Sequence, residues 1–570
     1  MKSILLLLIT LLAVPQEKLH KDKLDRAFIY PQRVVWTSSA TAVKGSEVLL
    51  EEGNGQVPSP SGRHCRMQNR GDDKASIILD YGRELHGGLK LCLRWGHRYP
   101  SLVRIRFGES VGETCSEPVD TAWLMGHSTN DHAMRDYVMK VPRDGSIEIG
   151  NTGFRFVRID VLEPDGIVAI QEAPAILRYR DIPYVGSFRC SDERLDRIWQ
   201  TGAYTVHLNM QEYLWDGIKR DRLVWAGDMG TEIRTIAAVF GAHPIVPDSL
   251  ALVLGQTPRG QWMNGLSSYT LWWIMEVCDW FMFTGDRAWL EKQREILLNQ
   301  IRLVWDAVAM DGRENLVSGR YLDWPSSENP KAVHAGLQGL MILAMQCASK
   351  LFMFLGEDMA ARRCRETEQL LRRHVPELSG YKQADALLAL SGLRDAGEMA
   401  EMLARGGAAG FSSFLSCFTL GAMARGNRIK EALDCIREYW GGMLKMGATS
   451  FWEDFDISWM ENAFPIDGMP VPGKKDIHGD FGRACYVMFR HSLCHGWAAS
   501  PVPFLTEHVA GIRVLEPGFS RVSITPALGD LEWIRCECPT PHGILSVEAE
   551  RRNGADMVRV HAPEGVSLDS

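Results

Sequence analysis

Residues 216–228, DGIKRDRLVWAGD, set Asp216, Asp221 and Asp228 among Lys219, Arg220 and Arg222 and beside Trp225. Far downstream, GATSFWEDFD places Glu453 between Trp452 and a further pair of acids, Asp454 and Asp456. Two carboxyls facing one bond can divide acid and base work. In glycosidic cleavage one protonates the leaving oxygen while the other acts on water or on the sugar carbon. Steps of five and seven along 216, 221 and 228 do not fall on one side of a regular helix, so the first cluster is expected in a loop and the start of a helix. Each cluster alone also fits a salt-bridged surface loop. Two clusters that are both acidic and both tryptophan-lined favour a site.

Composition narrows the partner. The chain has 570 residues, 45% hydrophobic and 24% charged, with a net charge of −8. That is ordinary globular composition, long enough for several domains. No dense run of Lys and Arg could track a phosphate backbone, which argues against a nucleic-acid partner. The 18 Trp, 13 Tyr and 20 Phe supply faces on which sugar C–H groups can stack. The 13 cysteines are odd in number and scattered, so buried thiols are expected rather than a disulfide framework, as at Cys347, Cys417 and Cys435. Cys536 and Cys538 form a lone C-x-C on one face of a strand, and with no second pair nearby neither a metal site nor a cofactor is expected.

The elements that must position these residues follow from periodicity. Residues 1–16, MKSILLLLITLLAVPQ, read as a secretory signal peptide, with Lys2 ahead of an apolar run too short to span a bilayer. A periplasmic or secreted protein is therefore expected, with no membrane span after the leader is removed. Residues 25–188 alternate with period two, as in Leu89, Leu91, Leu93 and Trp95 or Val157, Ile159 and Val161, and predict an N-terminal β-sandwich. Residues 189–506 change to helical spacing. Ile429, Ala432, Leu433, Ile436, Tyr439 and Trp440 form one stripe, and Lys331–Leu355 reads as a long helix stopped by Gly356 before another begins near Asp358. About ten to twelve helices are expected, joined in pairs by short turns and without a fixed-period repeat. Residues 507–570 return to strands, with Leu545, Val547 and Ala549 alternating in a small C-terminal β-domain.

The two acidic stretches resemble a known family. DGIKRDRLVWAGD is similar to the glycoside hydrolase family 78 (α-L-rhamnosidase) signature, approximately D-x-P-x-R-E-x-x-G-W-x-G-D, and GATSFWEDFD resembles that family's G-A-T-x-x-W-E segment. SLCHGWAASPVPFLTEHVAGIRVLEPGFSRVSITP resembles its closing stretch, while GFRFVRIDV and VGSFRCSDERLDRIW resemble its junction between sheets and helices. The likeness covers roughly residues 70–565. It implies a multidomain chain with a central all-α (α/α)6 barrel between β-domains, acting as an exo-acting inverting hydrolase on an oligosaccharide or glycoside carrying terminal α-L-rhamnose or a related deoxysugar. On that resemblance Asp221 matches the general acid and Glu453 the general base. Asp216, Arg220, Trp225 and Asp228 match residues that hold the sugar, with His495 and Trp497 of HGW lining the same pocket. Asp323 and Trp324 of YLDW, and Trp452, are further sugar contacts on the same basis.

The departures from the pattern are specific. Asp221 stands where the family has Glu, Ile218 where it has Pro, and Val224 where it has Gly. A carboxyl one methylene shorter must come closer to its target. A glycan-binding protein that keeps the pocket without the chemistry is the competing expectation. A polysaccharide lyase would call for a Tyr or His base with a cation facing a uronate, and carboxylate-rich clusters do not suit it.

Overall fold

A computed structural model describes residues 22–53, 63–94, 101–117, 135–482 and 487–569. The sequence expectations for residues 1–16 and for Trp95 lie outside the described residues. Between Asp25 and Tyr179, ten strands join in one sheet built around two long antiparallel partners, Ser76–Arg94 and Gly145–Val161. Their register shifts between Asp80 and Leu85 and again between Gly87 and Leu89, and such irregularities bend a strand. Gly87 has φ 146°, and a Cβ there would lie 1.9 Å from the Ile176 carbonyl oxygen, so only glycine admits the neighbouring strand at this bend. The expected alternation is present: Leu89, Leu91, Leu93, Val157, Ile159 and Val161 are all buried in one core. That core also takes in Leu208, Ile218 and Cys494 from the helical region. Ile218 is thus where the 216–228 stretch is fastened to the sheet, its carbonyl accepting from Gly153 N–H at 2.9 Å.

A short helix, α1 (Val111–Cys115), follows the strand Ser101–Gly108. The helical region then runs through α2 (Glu193–Asn209), α3 (Ala226–Val239), α4 (Ile245–Gln256), α5 (Ser267–Thr284), α6 (Arg287–Asp306) and α7 (Pro330–Leu355). It continues with α8 (Asp358–Leu371), α9 (Lys382–Leu390), α10 (Ala396–Ala404), α11 (Ser416–Arg425), α12 (Ile429–Lys445) and α13 (Pro501–Phe504). Two kinds of helix alternate. α5 and α7 are apolar nearly all round and buried along most of their length, whereas α6, α8 and α12 carry one apolar stripe and an exposed polar face. Contacts accordingly run α3 to α5, α5 to α7, α7 to α9 and α9 to α11, and α13 packs against both α11 and α3. The predicted stop at Gly356 is a left-handed C-cap with φ 71°, and Asn329 caps the other end of α7 ahead of Pro330. The stripe on α12 buries Ala432, Leu433, Ile436, Tyr439 and Trp440.

The C-terminal part holds two small sheets. Trp533–Thr540, Gly543–Arg552 and Ala555–His561 form antiparallel neighbours, and Ile512–Glu516, Arg521–Ile524 and Ser567–Leu568 form a second sheet. The first of these sheets gains a strand from the far side of the helices: Ser187–Cys190 pairs with Trp533–Thr540, Phe188 opposite Cys536. Ser187 and Phe188, read from the sequence with the N-terminal strands, therefore belong to this sheet. Period-two alternation reports which face of a strand is buried and says nothing of which sheet it joins. Cys536 and Cys538 share the buried face of their strand, and all twelve described cysteines are free thiols.

Candidate active site

The site is built from three loops. Residues 210–225 link α2 to α3, and the loop after α12 carries Glu453. The third, residues 490–497, lies beside both: Gly217 bridges His495, Gly496 N–H donates to the Asp216 carbonyl at 3.0 Å, and His495 N–H donates to the Phe451 carbonyl at 2.9 Å. Asp228 sits in the first turn of α3, where unpaired backbone N–H groups favour negative charge. Together with Asn264, Leu266, Tyr269, Tyr321 and Trp324 they line a cavity of about 280 Å³.

Arg220 is the cation of this cavity. Its Nη1 donates to Asp221 Oδ2 at 3.1 Å, its Nη2 pairs with Glu453 Oε1, and its Nε donates to the Arg490 carbonyl at 3.0 Å. The second oxygen of Glu453 accepts from Ser492 N–H at 3.1 Å, and the Trp497 indole donates to the Glu453 carbonyl at 2.9 Å. Asp216 Oδ1 accepts from Leu223 N–H at 2.9 Å, and Tyr269 donates to Asp228 Oδ2 at 3.4 Å. Asp221 and Arg222 both have left-handed backbones, φ 56° and 51°, a conformation costing side-chain-bearing residues on the order of 1–3 kcal/mol and held here by the surrounding contacts.

Burial and mutual repulsion raise the proton affinity of the carboxyls. Asp216 is pushed well above the usual carboxylate range by burial and then by Asp221 and Asp228, and Asp228 by burial and then by Glu453. Glu453 is raised by burial, opposed by Arg220 and the Ser492 N–H. His495 Nε2 lies 3.8 Å from Asp216, 3.7 Å from Asp228 and 3.7 Å from Glu453. Those spacings alone would suggest a charged imidazolium. Burial and the adjacent Arg220 instead drive its pKa well below the ordinary histidine value, so the ring is neutral and the contacts are those of a polar neighbour.

Of the residues singled out from the sequence, Asp216, Arg220, Asp221, Trp225, Asp228, Trp324, Glu453, His495 and Trp497 line this one cavity. Asp323 and Trp452 do not. Asp323 is fully buried, its Oδ1 accepting from Ser326 N–H at 3.0 Å and from the Ser326 hydroxyl, and it shapes the loop that lets Trp324 reach inward. Trp452 is likewise fully buried and packs edge-on against Phe455. Four lining residues were missed: Asn264, Leu266, Tyr269 and Tyr321. Tyr321 begins the YLDW stretch, and Asn264 carries a turn-forming Asn-Gly, its φ 49° and its side chain bonding Ala226 N–H at 2.9 Å and the Val224 carbonyl at 3.1 Å. Tyr269, in the first turn of α5, carries no local signal that separates it from a core aromatic.

Fold and site together define a helical-hairpin protein with a carboxylate-lined, aromatic-walled cavity between sheet regions. Residues 183–375 match the bacterial alpha-L-rhamnosidase 6 hairpin glycosidase domain and residues 511–569 the bacterial alpha-L-rhamnosidase C-terminal domain. Those two stretches of the chain are therefore similar to the domains of bacterial alpha-L-rhamnosidases. The fold of the chain is similar to that of the GH78 family rhamnosidase of Bacillus sp. GL1, with TM-score 0.72 and 20% identity over 92% of this chain and 55% of that one. It is similar also to the rhamnosidase from Klebsiella oxytoca with rhamnose bound (TM-score 0.64, 20% identity, 85% of this chain and 96% of that one). The Streptomyces avermitilis alpha-L-rhamnosidase complexed with L-rhamnose gives TM-score 0.67 and 17% identity, covering 90% of this chain and 50% of that one. The chain thus spans about half the length of the Bacillus and Streptomyces proteins. No curated protein matches the chain.

Proposed function

We propose that this protein is an exo-acting, inverting glycoside hydrolase that removes terminal α-L-rhamnose, or a related deoxysugar, from an oligosaccharide or glycoside. In this reading residues 189–506 form a closed double ring of helices, an (α/α)6 barrel, between β-sandwich regions 25–188 and 507–570. The observation that carries the proposal is the single guanidinium of Arg220 tying Asp221 and Glu453 to one wall of a cavity with room for one sugar ring. Glu453 acts as the base: Arg220 and the Ser492 N–H both favour its ionised form, ready to take a proton from water. Asp221 protonates the leaving oxygen. Asp216 and Asp228, holding their protons, donate to sugar hydroxyls, while Trp225, Tyr321, Trp324 and Trp497 take the C–H faces of the ring. The leader-like composition of residues 1–16 supports a periplasmic or secreted location, which fractionation of the expressing cells would check.

One observation favours a second reading, a glycan-binding protein without turnover. The Arg220–Asp221 ion pair occupies an oxygen that the acid role must present to the leaving group. Release of monosaccharide from a panel of plant and bacterial glycans, with the anomer read by NMR at early times, separates the two. Initial release of the inverted anomer, lost in Asp221→Asn and Glu453→Gln, is the expected result. Binding of L-rhamnose by calorimetry with no turnover on the whole panel would instead establish the binding protein, and a retained anomer would remove the inverting mechanism.

A further inference from the structure

Behind the wall that carries Glu453 lies a second, closed cluster of charge. The Lys219 ammonium stands 3.1 Å from Glu113 Oε1 and 3.3 Å from Glu109 Oε2, and donates to the carbonyls of His491, at 2.9 Å, and Phe489. His478 closes the cage, with Nε2 3.3 Å from the ammonium and 2.8 Å from the His491 carbonyl, and Nδ1 2.8 Å from the Ser110 hydroxyl. All of these side chains are buried. Glu109, Glu113 and His478 offer ligand atoms within 4.8 Å of one another, a donor set that with the carbonyls would suit a hard cation. Here the cation is covalently part of the chain. An ammonium has three N–H donors, and two carbonyls and a carboxylate satisfy them.

What the cage holds is the loop under Glu453. Three consecutive carbonyls are taken by consecutive residues: Lys219 binds those of Phe489 and His491, and Arg220 Nε binds that of Arg490. The next residue, Ser492, donates its N–H to Glu453 Oε2 and accepts from Glu453 N–H at 2.9 Å. The one after, Leu493, donates its N–H to Glu109 Oε2 at 2.7 Å. Glu109 and Glu113 flank and begin α1 of the sheet region, whereas Lys219 lies one residue from the guanidinium that pairs with both candidate catalytic carboxyls.

We propose that Lys219 is a positioning residue: its ammonium serves as the protein's own cation in the Glu109–Glu113–His478 cage and, by clamping residues 489–491, sets the orientation of Glu453. The effect on turnover rests on the hydrolase reading, while the cage itself does not. The test is Lys219→Ala assayed with and without propylammonium chloride, against sodium chloride at matched ionic strength. The alanine variant is expected to show a lowered thermal midpoint, L-rhamnose binding weakened at least tenfold and kcat reduced at least tenfold. Propylammonium, and not sodium, is expected to recover most of each loss by refilling the cage. Wild-type affinity and kcat in the variant, or losses that propylammonium does not recover, would overturn the proposal. Should Lys219→Ala not fold, Glu109→Gln keeps the shape and removes a group that can ionise beside the ammonium. A changed pH profile of rhamnose binding there supports the clamp, and an unchanged profile sinks it. If the wild type cleaves no glycoside, the hydrolase reading fails alone, since rhamnose binding and the propylammonium-dependent thermal midpoint still read the cage.

Discussion

The two buried charge clusters differ in their balance. Among the described residues, the cavity sets four carboxyls, Asp216, Asp221, Asp228 and Glu453, against one lining cation, Arg220. Three of them are pushed toward protonation. Behind it, Glu84, Glu109 and Glu113 meet two cations, Lys219 and Arg135: burial raises Glu84 and pushes Glu109 up to about 7, while Arg135 and Lys219 hold Glu113 down at about 2. Burial disfavours charge in both places. In the cage the carboxyl that pairs with both cations, Glu113, is the one held down, and its ion pairs with Arg135 and Lys219 join chain segments. The nearness of two cations, set against burial, separates Glu113 from its neighbours Glu84 and Glu109.

The comparison breaks most visibly at Glu453. Glu453→Gln is expected to lower kcat on an aryl rhamnoside by about 10²–10⁴-fold while leaving the fold intact, the loss of one acid or base group. An equal loss of thermal stability would place Glu453 with the joint. On the other side, Arg135→Met removes one partner of the ion pair with Glu113, 2.7 Å apart and both buried. Breaking such a pair costs about 3–5 kcal/mol, which denaturant unfolding would report. A variant as stable as the wild type would contradict the structural role of the cage.

A smaller effect concerns Glu109, whose carboxyl burial pushes up to about 7. Because its folded value is raised, the stability it contributes is complete below its ordinary value near 4.5 and is lost as pH rises through about 7. Unfolding free energy measured from pH 4 to 8 should fall across that window, and Glu109→Gln should flatten the fall. The smallest effect distinguishes two tryptophans that the sequence treated alike. Trp324→Ala is expected to weaken L-rhamnose binding by about 0.5–1.5 kcal/mol, the scale of one aromatic contact, and Trp452→Phe to leave it unchanged in calorimetry.

These contrasts bear on what could be read from the chain. Period-two and helical spacing located the sheets and helices because side-chain direction follows backbone geometry, and the end of α7 at Gly356 was legible for the same reason. The acidic stretches gave six of the cavity residues, and YLDW and HGW gave Trp324, His495 and Trp497. Asp323 and Trp452 lie outside the cavity lining, since in a loop the direction of a side chain depends on φ and ψ that composition does not encode. Tyr269 and Asn264 belong to elements without a charged motif. The cage was illegible: Glu109, Lys219 and His478 come from three distant segments, and only the packing of α1 against the 489–493 loop makes them neighbours.

The strand Ser187–Cys190 has a consequence for synthesis. It precedes every helix of the central region, yet its partner strand, Trp533–Thr540, follows them all. As the chain leaves the ribosome, the edge at Phe188 has no neighbour until nearly the whole molecule has been made. Loop closure over so long a stretch slows folding and prolongs the exposure of that edge to other chains. A nascent protein halted before residue 533 would carry an unpaired strand, a natural substrate for a holding chaperone, and release of the last segment is the step that fastens both ends of the helical region together.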